Sequence, residues 1–283
     1  VVLLLILALS GCQASFFGVL NAGLEGPRER APGSASYGSH PAQTLDIFRP
    51  VQPAPNAALV VFFYGGRWDS GRREWYRFVG SALAERGIVT LVPDYRVYPE
   101  VKFPGFVEDA ALATAWAIRN AASLGADPHR VFVAGHSAGA HLAAMVASDA
   151  RYLAPHGHAP RDLAGAIGVA GPYNVIPDGD AALEDMFGPP ERYPAARPVN
   201  FADGDEPPFL LLHGSDDRLV WASHSDMMAD RLKQAGIAVE YSPYPGIGHI
   251  RILAAIRYPR FGATLADMVA FVERTPAAQV VAP

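Results

Sequence analysis

The chain has one cysteine, Cys12, in 283 residues, so it cannot form an internal disulfide. No Cys/His group has the spacing of a structural zinc site, and no metal or organic cofactor is expected. Blocks of Lys or Arg long enough to neutralise several phosphates are missing as well. With 23 basic against 28 acidic residues the net charge is −5, and nucleic acid is not an expected partner. The 27 glycines and 25 prolines follow no period, which excludes collagen-like and solenoid architectures. Charged residues make up only 18% of the chain against 50% hydrophobic ones, a balance that excludes disorder for most of it and implies a large core. The apolar run that opens the sequence, Val1–Leu9, is nine residues, against about 20 needed to span a bilayer as a helix. What is present fits one α/β domain of this length.

Ala58–Tyr64 is a continuous apolar, β-branched and aromatic run closed by Gly65-Gly66, the pattern of a strand buried on both faces. Similar runs recur at Ile88–Pro93, Val131–Gly135, Ala166–Ala170, Phe209–His213 and Val239–Tyr244. Helical segments are expected over Arg72–Arg86, Phe106–Leu124, from Ser137 onward, Ala222–Gln234 and Ala254–Val272. Strand-then-helix repetition predicts a mostly parallel central sheet with helices on both faces. Thr44–Arg49 alternates in polarity and predicts an antiparallel edge strand.

In such sheets ligands sit outside the carboxyl ends of the strands. Three of those ends carry reactive residue types. Gly135-His136-Ser137-Ala138-Gly139 is G-x-S-x-G at a strand-to-helix turn, where the glycines allow close backbone approach and lift the serine hydroxyl out. Serine needs a base to take its proton, and the base needs an acid to hold its tautomer. Asp216 or Asp217 after Phe209–Leu212, and His249 after Val239–Tyr244, can supply them. His213 reads as ordering its own loop, and His156 and His158 lack a third metal ligand.

The order Ser, Asp, His resembles that of the α/β-hydrolases, with 80 residues between Ser137 and Asp217 and 32 between Asp217 and His249. His213-Gly214-Ser215-Asp216-Asp217-Arg218-Leu219-Val220 resembles the H-G-x-x-D-x-x-V pattern of that superfamily, which implies Asp217 rather than Asp216 as the acid. Tyr64-Gly65-Gly66-Arg67-Trp68 is similar to the H-G-G-G or H-G-G-x-W element of esterases related to hormone-sensitive lipase, feruloyl or acetylxylan esterases and arylformamidases. Tyr64 replaces the usual His and Arg67 the third Gly. The resemblance implies an oxyanion hole made by the N–H groups of Gly66, Arg67 and Ala138, with Gly65 an alternative donor. Val92-Pro93-Asp94-Tyr95-Arg96 and the following Tyr98-Pro99-Glu100 resemble a D-Y-R-L-x-P-E segment of the same branch. Asp94 and Arg96 read there as an ion pair or loop brace.

Leu9-Ser10-Gly11-Cys12 resembles the lipobox of bacterial lipoproteins, which implies lipidation of Cys12 and, with Gln13 following, an outer-membrane anchor facing the periplasm. A cleaved secretory peptide with an incidental Cys, or a first helix whose cysteine is merely buried, is the alternative. The expected organisation is a signal over 1–12, a flexible tether over 13–42, a hydrolase domain over 43–275 and a tail over 276–283. An irregular flap over about 171–207 is expected to shape the pocket, and Trp68 and Trp221 are candidates for its mouth or for the core. The expected function is a carboxylesterase acting on small to medium acyl esters through Ser137, Asp217 and His249. An arylformamidase-like amide hydrolase and a catalytically weak, lipid-anchored binding protein of the same fold are the rivals.

Overall fold

The computed structural model describes residues 15–24 and 33–278, apart from 53, 55, 176 and 178. The apolar run Val1–Leu9 and Cys12 lie outside the described residues, as do 279–283 of the expected tail.

Eight strands form one sheet in the order β1-β2-β4-β3-β5-β6-β7-β8. They are β1 Gly33–Ser36, β2 Thr44–Phe48, β3 Leu59–Phe63, β4 Val89–Pro93, β5 Val131–His136, β6 Gly165–Val169, β7 Phe209–Gly214 and β8 Val239–Tyr244. Strands β1 and β2 run antiparallel to their neighbours, and all later pairings are parallel. Every residue of β3, β4, β5, β6 and β7 is buried, which accounts for their lack of polar alternation. The β2 segment is antiparallel as its polarity suggests, but it is not the edge. Gly33–Ser36 pairs outside it, with Ser36 opposite Thr44.

The helices are α1 (residues 15–21), α2 Arg77–Ala84, α3 Gly105–Asn120, α4 Ala138–Ser148, α5 Ala150–Leu153, α6 Ala181–Phe187, α7 Ser223–Gln234, α8 His249–Arg257 and α9 Thr264–Arg274. Helices α2, α8 and α9 contact one another in one layer, and α3 contacts α4 and α5 in the other. A single helix over Ala254–Val272 is not what forms. Pro259 lacks an N–H to continue α8, and Gly262 takes φ +157°, so the chain turns and restarts as α9.

Residues 13–42 are not a tether throughout. Phe17, Leu20 and Leu24 are buried, and Phe17 stacks on Trp75 at 5.1 Å and tilts against Tyr76 at 5.0 Å. The Asn21 side chain donates to the Trp75 carbonyl and accepts from the Phe78 N–H, fixing α1 to the turn before α2. With β1 in the sheet as well, the folded body starts before residue 43. No helix among the described residues is long and apolar enough to cross a membrane.

Candidate active site

Ser137 stands between β5 and α4 with φ +55° and ψ −122°, a backbone state that costs a non-glycine residue roughly 1–3 kcal/mol. The contacts around the turn hold it there. Its N–H donates to the Val169 carbonyl at 2.9 Å, and its own carbonyl accepts from Ala140 and His141. The flanking glycines are sterically required. A Cβ on Gly135 would lie 2.3 Å from the Gly139 backbone, and one on Gly139 would lie 2.0 Å from the Phe63 carbonyl oxygen.

The structure brings Ser137, Asp217 and His249 into one hydrogen-bonded line. With His249 Nδ1 protonated, it donates to Asp217 Oδ2 at 2.6 Å, and Ser137 Oγ donates to His249 Nε2 at 2.9 Å. His249 is the first residue of α8, not a loop residue, and only 8% of it is exposed. Two contacts between the β7 and β8 ends make this meeting possible. Gly214 lies so close that a Cβ would be 2.0 Å from the Ile247 carbonyl oxygen, and the Asp216 N–H donates to that oxygen at 3.0 Å. Asp216 thus braces the histidine loop through its backbone, while its exposed carboxylate accepts from the Ser215 hydroxyl.

Asp217 accepts more than the triad line requires. Oδ1 takes the N–H groups of Leu219 and Val220, both at 2.9 Å, and Oδ2 lies 3.3 Å from His213 Nε2. Burial alone would raise this carboxyl's pKa, but hydrogen bonds from His213 and His249 outweigh it and hold the group well below the usual carboxylate range. His213, fully buried, also reaches the Val220 carbonyl at 2.9 Å and Ser225 Oγ at 2.7 Å. His136, the variable residue of the G-x-S-x-G turn, packs its ring 4.7 Å from that of His249 and donates from Nε2 to the His249 carbonyl at 3.0 Å. Burial, then the neighbouring His249, pushes His136 down to about 3.

Opposite the serine, the loop after β3 carries three successive positive φ values, +145° at Gly66, +56° at Arg67 and +59° at Trp68. The Gly66 carbonyl closes the turn by accepting from Asp69, Ser70 N–H and Ser70 Oγ. A Cβ on Gly65 would sit 3.1 Å from Ser137 Cβ, so this loop lies directly against the serine. The Gly65 N–H is taken by the Tyr76 hydroxyl at 3.2 Å, which removes it as a free donor. Among the described residues, none accepts from the N–H groups of Gly66, Arg67 or Ala138. Tyr64, in the place of the usual His, is buried, stacks on Tyr95 at 4.5 Å and accepts at its carbonyl from the Tyr95 hydroxyl. Asp94 and Arg96 brace the neighbouring loops but not through each other: Asp94 pairs with Arg73, and Arg96 with buried Asp109.

The expected flap contains α6 and two 3₁₀ turns, Pro190–Ala196 and Pro198–Asn200. It is packed down. Phe187 meets Trp68 edge-on at 4.9 Å and also contacts Phe103 and Phe106. Arg67 reaches across to Asp180, the N-cap of α6, at 2.5 Å. Trp68 is buried, whereas Trp221 is 68% exposed on the segment that follows Asp217.

The model of the BD-FAE family matches residues 45–232 of this chain. Esterase LipC of Mycobacterium tuberculosis is 34% identical over 238 residues, covering 75% of this chain and 58% of LipC. The probable isoprenylcysteine alpha-carbonyl methylesterase ICMEL1 of Oryza sativa subsp. japonica is 31% identical over 242 residues, covering 76% of this chain and 56% of its own length. The chain thus spans rather more than half of these curated relatives. Among solved structures, the apo form of Thermogutta terrifontis esterase 2 superposes with a TM-score of 0.75 at 28% identity, covering 90% of this chain and 98% of that one. The sheet order, the strand-end triad and these matches agree: the chain is an α/β-hydrolase-fold protein and belongs to the BD-FAE family.

Proposed function

We propose that the protein is a serine-dependent carboxylic ester hydrolase acting on small to medium acyl esters through an acyl-enzyme. The observation that carries this reading is the unbroken line from Asp217 through His249 to Ser137, with 2.6 and 2.9 Å contacts. The names esterase and methylesterase among its relatives support the same class.

In this mechanism Asp217 holds Nδ1–H of His249, leaving the Nε2 lone pair to take the Ser137 proton. Oγ attacks the ester carbonyl carbon, and the resulting oxyanion is received by the N–H groups of Gly66, Arg67 and Ala138. Collapse breaks the C–O bond, and the alcohol leaves with the proton from His249. Water then gives its proton to His249 and attacks the acyl-serine, and Ser137 recovers its proton as the acid departs. The electropositive His249 intermediate is stabilised by an Asp217 that stays ionised because of its dense hydrogen bonding.

The test is kcat/KM for p-nitrophenyl acetate, butyrate and octanoate beside an N-formyl anilide, with Ser137→Ala as control. Short-chain ester turnover should fall by about 10³-fold or more in the variant. A variant within tenfold of wild type sinks the assignment, and a dominant formyl-anilide rate moves it to an amide hydrolase. Silence on all substrates, with no labelling by a fluorophosphonate, leaves a binding protein.

We also propose lipid attachment at Cys12 with placement on the outer membrane facing the periplasm. The order of apolar run, small residues and cysteine supports it. Growth of an expressing bacterium with an alkyne-tagged fatty acid should label the wild type and not Cys12→Ala, and equal labelling of both overturns it.

A further inference from the structure

His141 is a buried imidazole that the chemistry above does not use. It lies one turn beyond Ser137 on α4, where its N–H donates to the Ser137 carbonyl at 3.1 Å. Its side chain is 0% exposed, and both ring nitrogens are engaged with different elements. The Trp68 indole N–H donates to Nδ1 at 3.2 Å, and Nε2–H donates to the Ala196 carbonyl at 2.8 Å. The two bonds fix one neutral tautomer, because a protonated ring could not accept from Trp68. Burial, which pushes this histidine down to about 4, keeps it in that form.

The ring joins three elements that border the site. Trp68 ends the run of positive φ angles that aims the Gly66 and Arg67 N–H groups. Such a backbone persists only where its surroundings over-determine it. At Trp68 the surroundings are the Tyr98 N–H on its carbonyl at 2.8 Å, the Phe187 and Phe106 rings, and the His141 acceptor. Ala196 belongs to the flap, and α4 carries the nucleophile. The Arg67–Asp180 pair also crosses from loop to flap, but it is solvent-exposed on both sides and screened.

We propose that His141 is a positioning residue: by accepting from Trp68 and donating to Ala196, it sets the oxyanion loop against the serine and ties that setting to the seated flap. This rests on the ester hydrolase reading. A histidine that merely fills the core would be indifferent to which of its two nitrogens is reproduced.

Amide side chains separate the two bonds. His141→Asn puts an acceptor oxygen near the Nδ1 position and drops the bond to Ala196, whereas His141→Gln reaches the Nε2 position as a donor and drops the acceptor for Trp68. Trp68→Phe removes the indole N–H, together with some ring volume, while keeping a ring against Phe187. All are measured on p-nitrophenyl butyrate with sites counted by endpoint phosphonate titration. Loss of a correctly aimed oxyanion donor costs about 10²–10³ in kcat, and misaiming should cost about 10-fold or more. Trp68→Phe and His141→Gln should therefore lower kcat about 10-fold or more with KM within about threefold, and the double variant should be no worse than either single. His141→Asn should retain several-fold more kcat than His141→Gln. Retention of wild-type kcat per titrated site in Trp68→Phe and His141→Gln, additive losses, or equal loss in the Asn and Gln variants each overturns the proposal. A wild type that neither turns over esters nor takes the phosphonate instead overturns the hydrolase reading beneath it.

Discussion

At the scale of single residues, the site depends on contacts that make one of two similar groups the useful one. Asp216 and Asp217 are adjacent carboxylates, and residue type alone leaves the choice between them open. The H-G-x-x-D-x-x-V resemblance points to Asp217, and the structure gives the physical difference: Asp217 collects two backbone N–H groups and two imidazoles, while Asp216 uses its backbone to brace Ile247. His213 was legible only as a loop residue, because its reach to Asp217 depends on how the β7 end turns. Its Nε2 lies 3.3 Å from the same oxygen that holds His249, so His213→Ala should lower kcat/KM about 10-fold or more on p-nitrophenyl butyrate, and His213→Gln should recover part of it. An alanine variant with a normal thermal midpoint and kcat/KM within threefold of wild type would show that this contact does nothing for the reaction.

At the scale of elements, the buried parallel strands were readable as uninterrupted apolar runs, and the strand-end motifs followed from them. Short or amphipathic pieces were not. The sequence around α1 is surrounded by Gly, Pro and Ser, and that composition hides the i, i+3, i+7 spacing of Phe17, Leu20 and Leu24. The break between α8 and α9 was present as Pro259 and Gly262 but was outweighed by the apolar residues on either side. The docking of α1 has an energetic consequence, since Phe17 stacks on Trp75 and tilts against Tyr76, whose hydroxyl holds the Gly65 N–H. Truncating a largely buried Phe costs about 3 kcal/mol, so Phe17→Ala should lower the thermal midpoint by roughly 6–12 °C in a scanning calorimeter. A shift below about 2 °C would mean that α1 is not seated on the body in solution.

For the whole molecule, the buried histidines and the Asp217 carboxylate push stability in the same direction as acid is added. His136 and His141 hold folded pKa values of about 3 and about 4, below the 6.5 of an unfolded histidine. Between those limits the unfolded chain binds more protons, so stability falls as pH falls, by roughly 2 kcal/mol for each histidine at pH 5 relative to neutral pH. Asp217, whose folded pKa is depressed, adds its loss only as pH drops through and below the ordinary carboxylate range. Urea unfolding at pH 7.5 and pH 5.0 should show a difference of roughly 4 kcal/mol, and replacing His141 with Asn should remove about half of it. A difference below about 1 kcal/mol would mean that these rings are protonated in the folded protein.

The seating of α1 also sets how far a membrane-held catalyst could roam. Thirty flexible residues over 13–42 would give a root-mean-square span of about 29 Å. With the chain held from residue 15, only three residue steps separate Cys12 from the folded body, a reach of at most about 11 Å. An enzyme fastened at Cys12 would then sweep a thin shell over the lipid headgroups, and its turnover would follow the two-dimensional supply of ester along that surface more than the concentration of ester in the bulk.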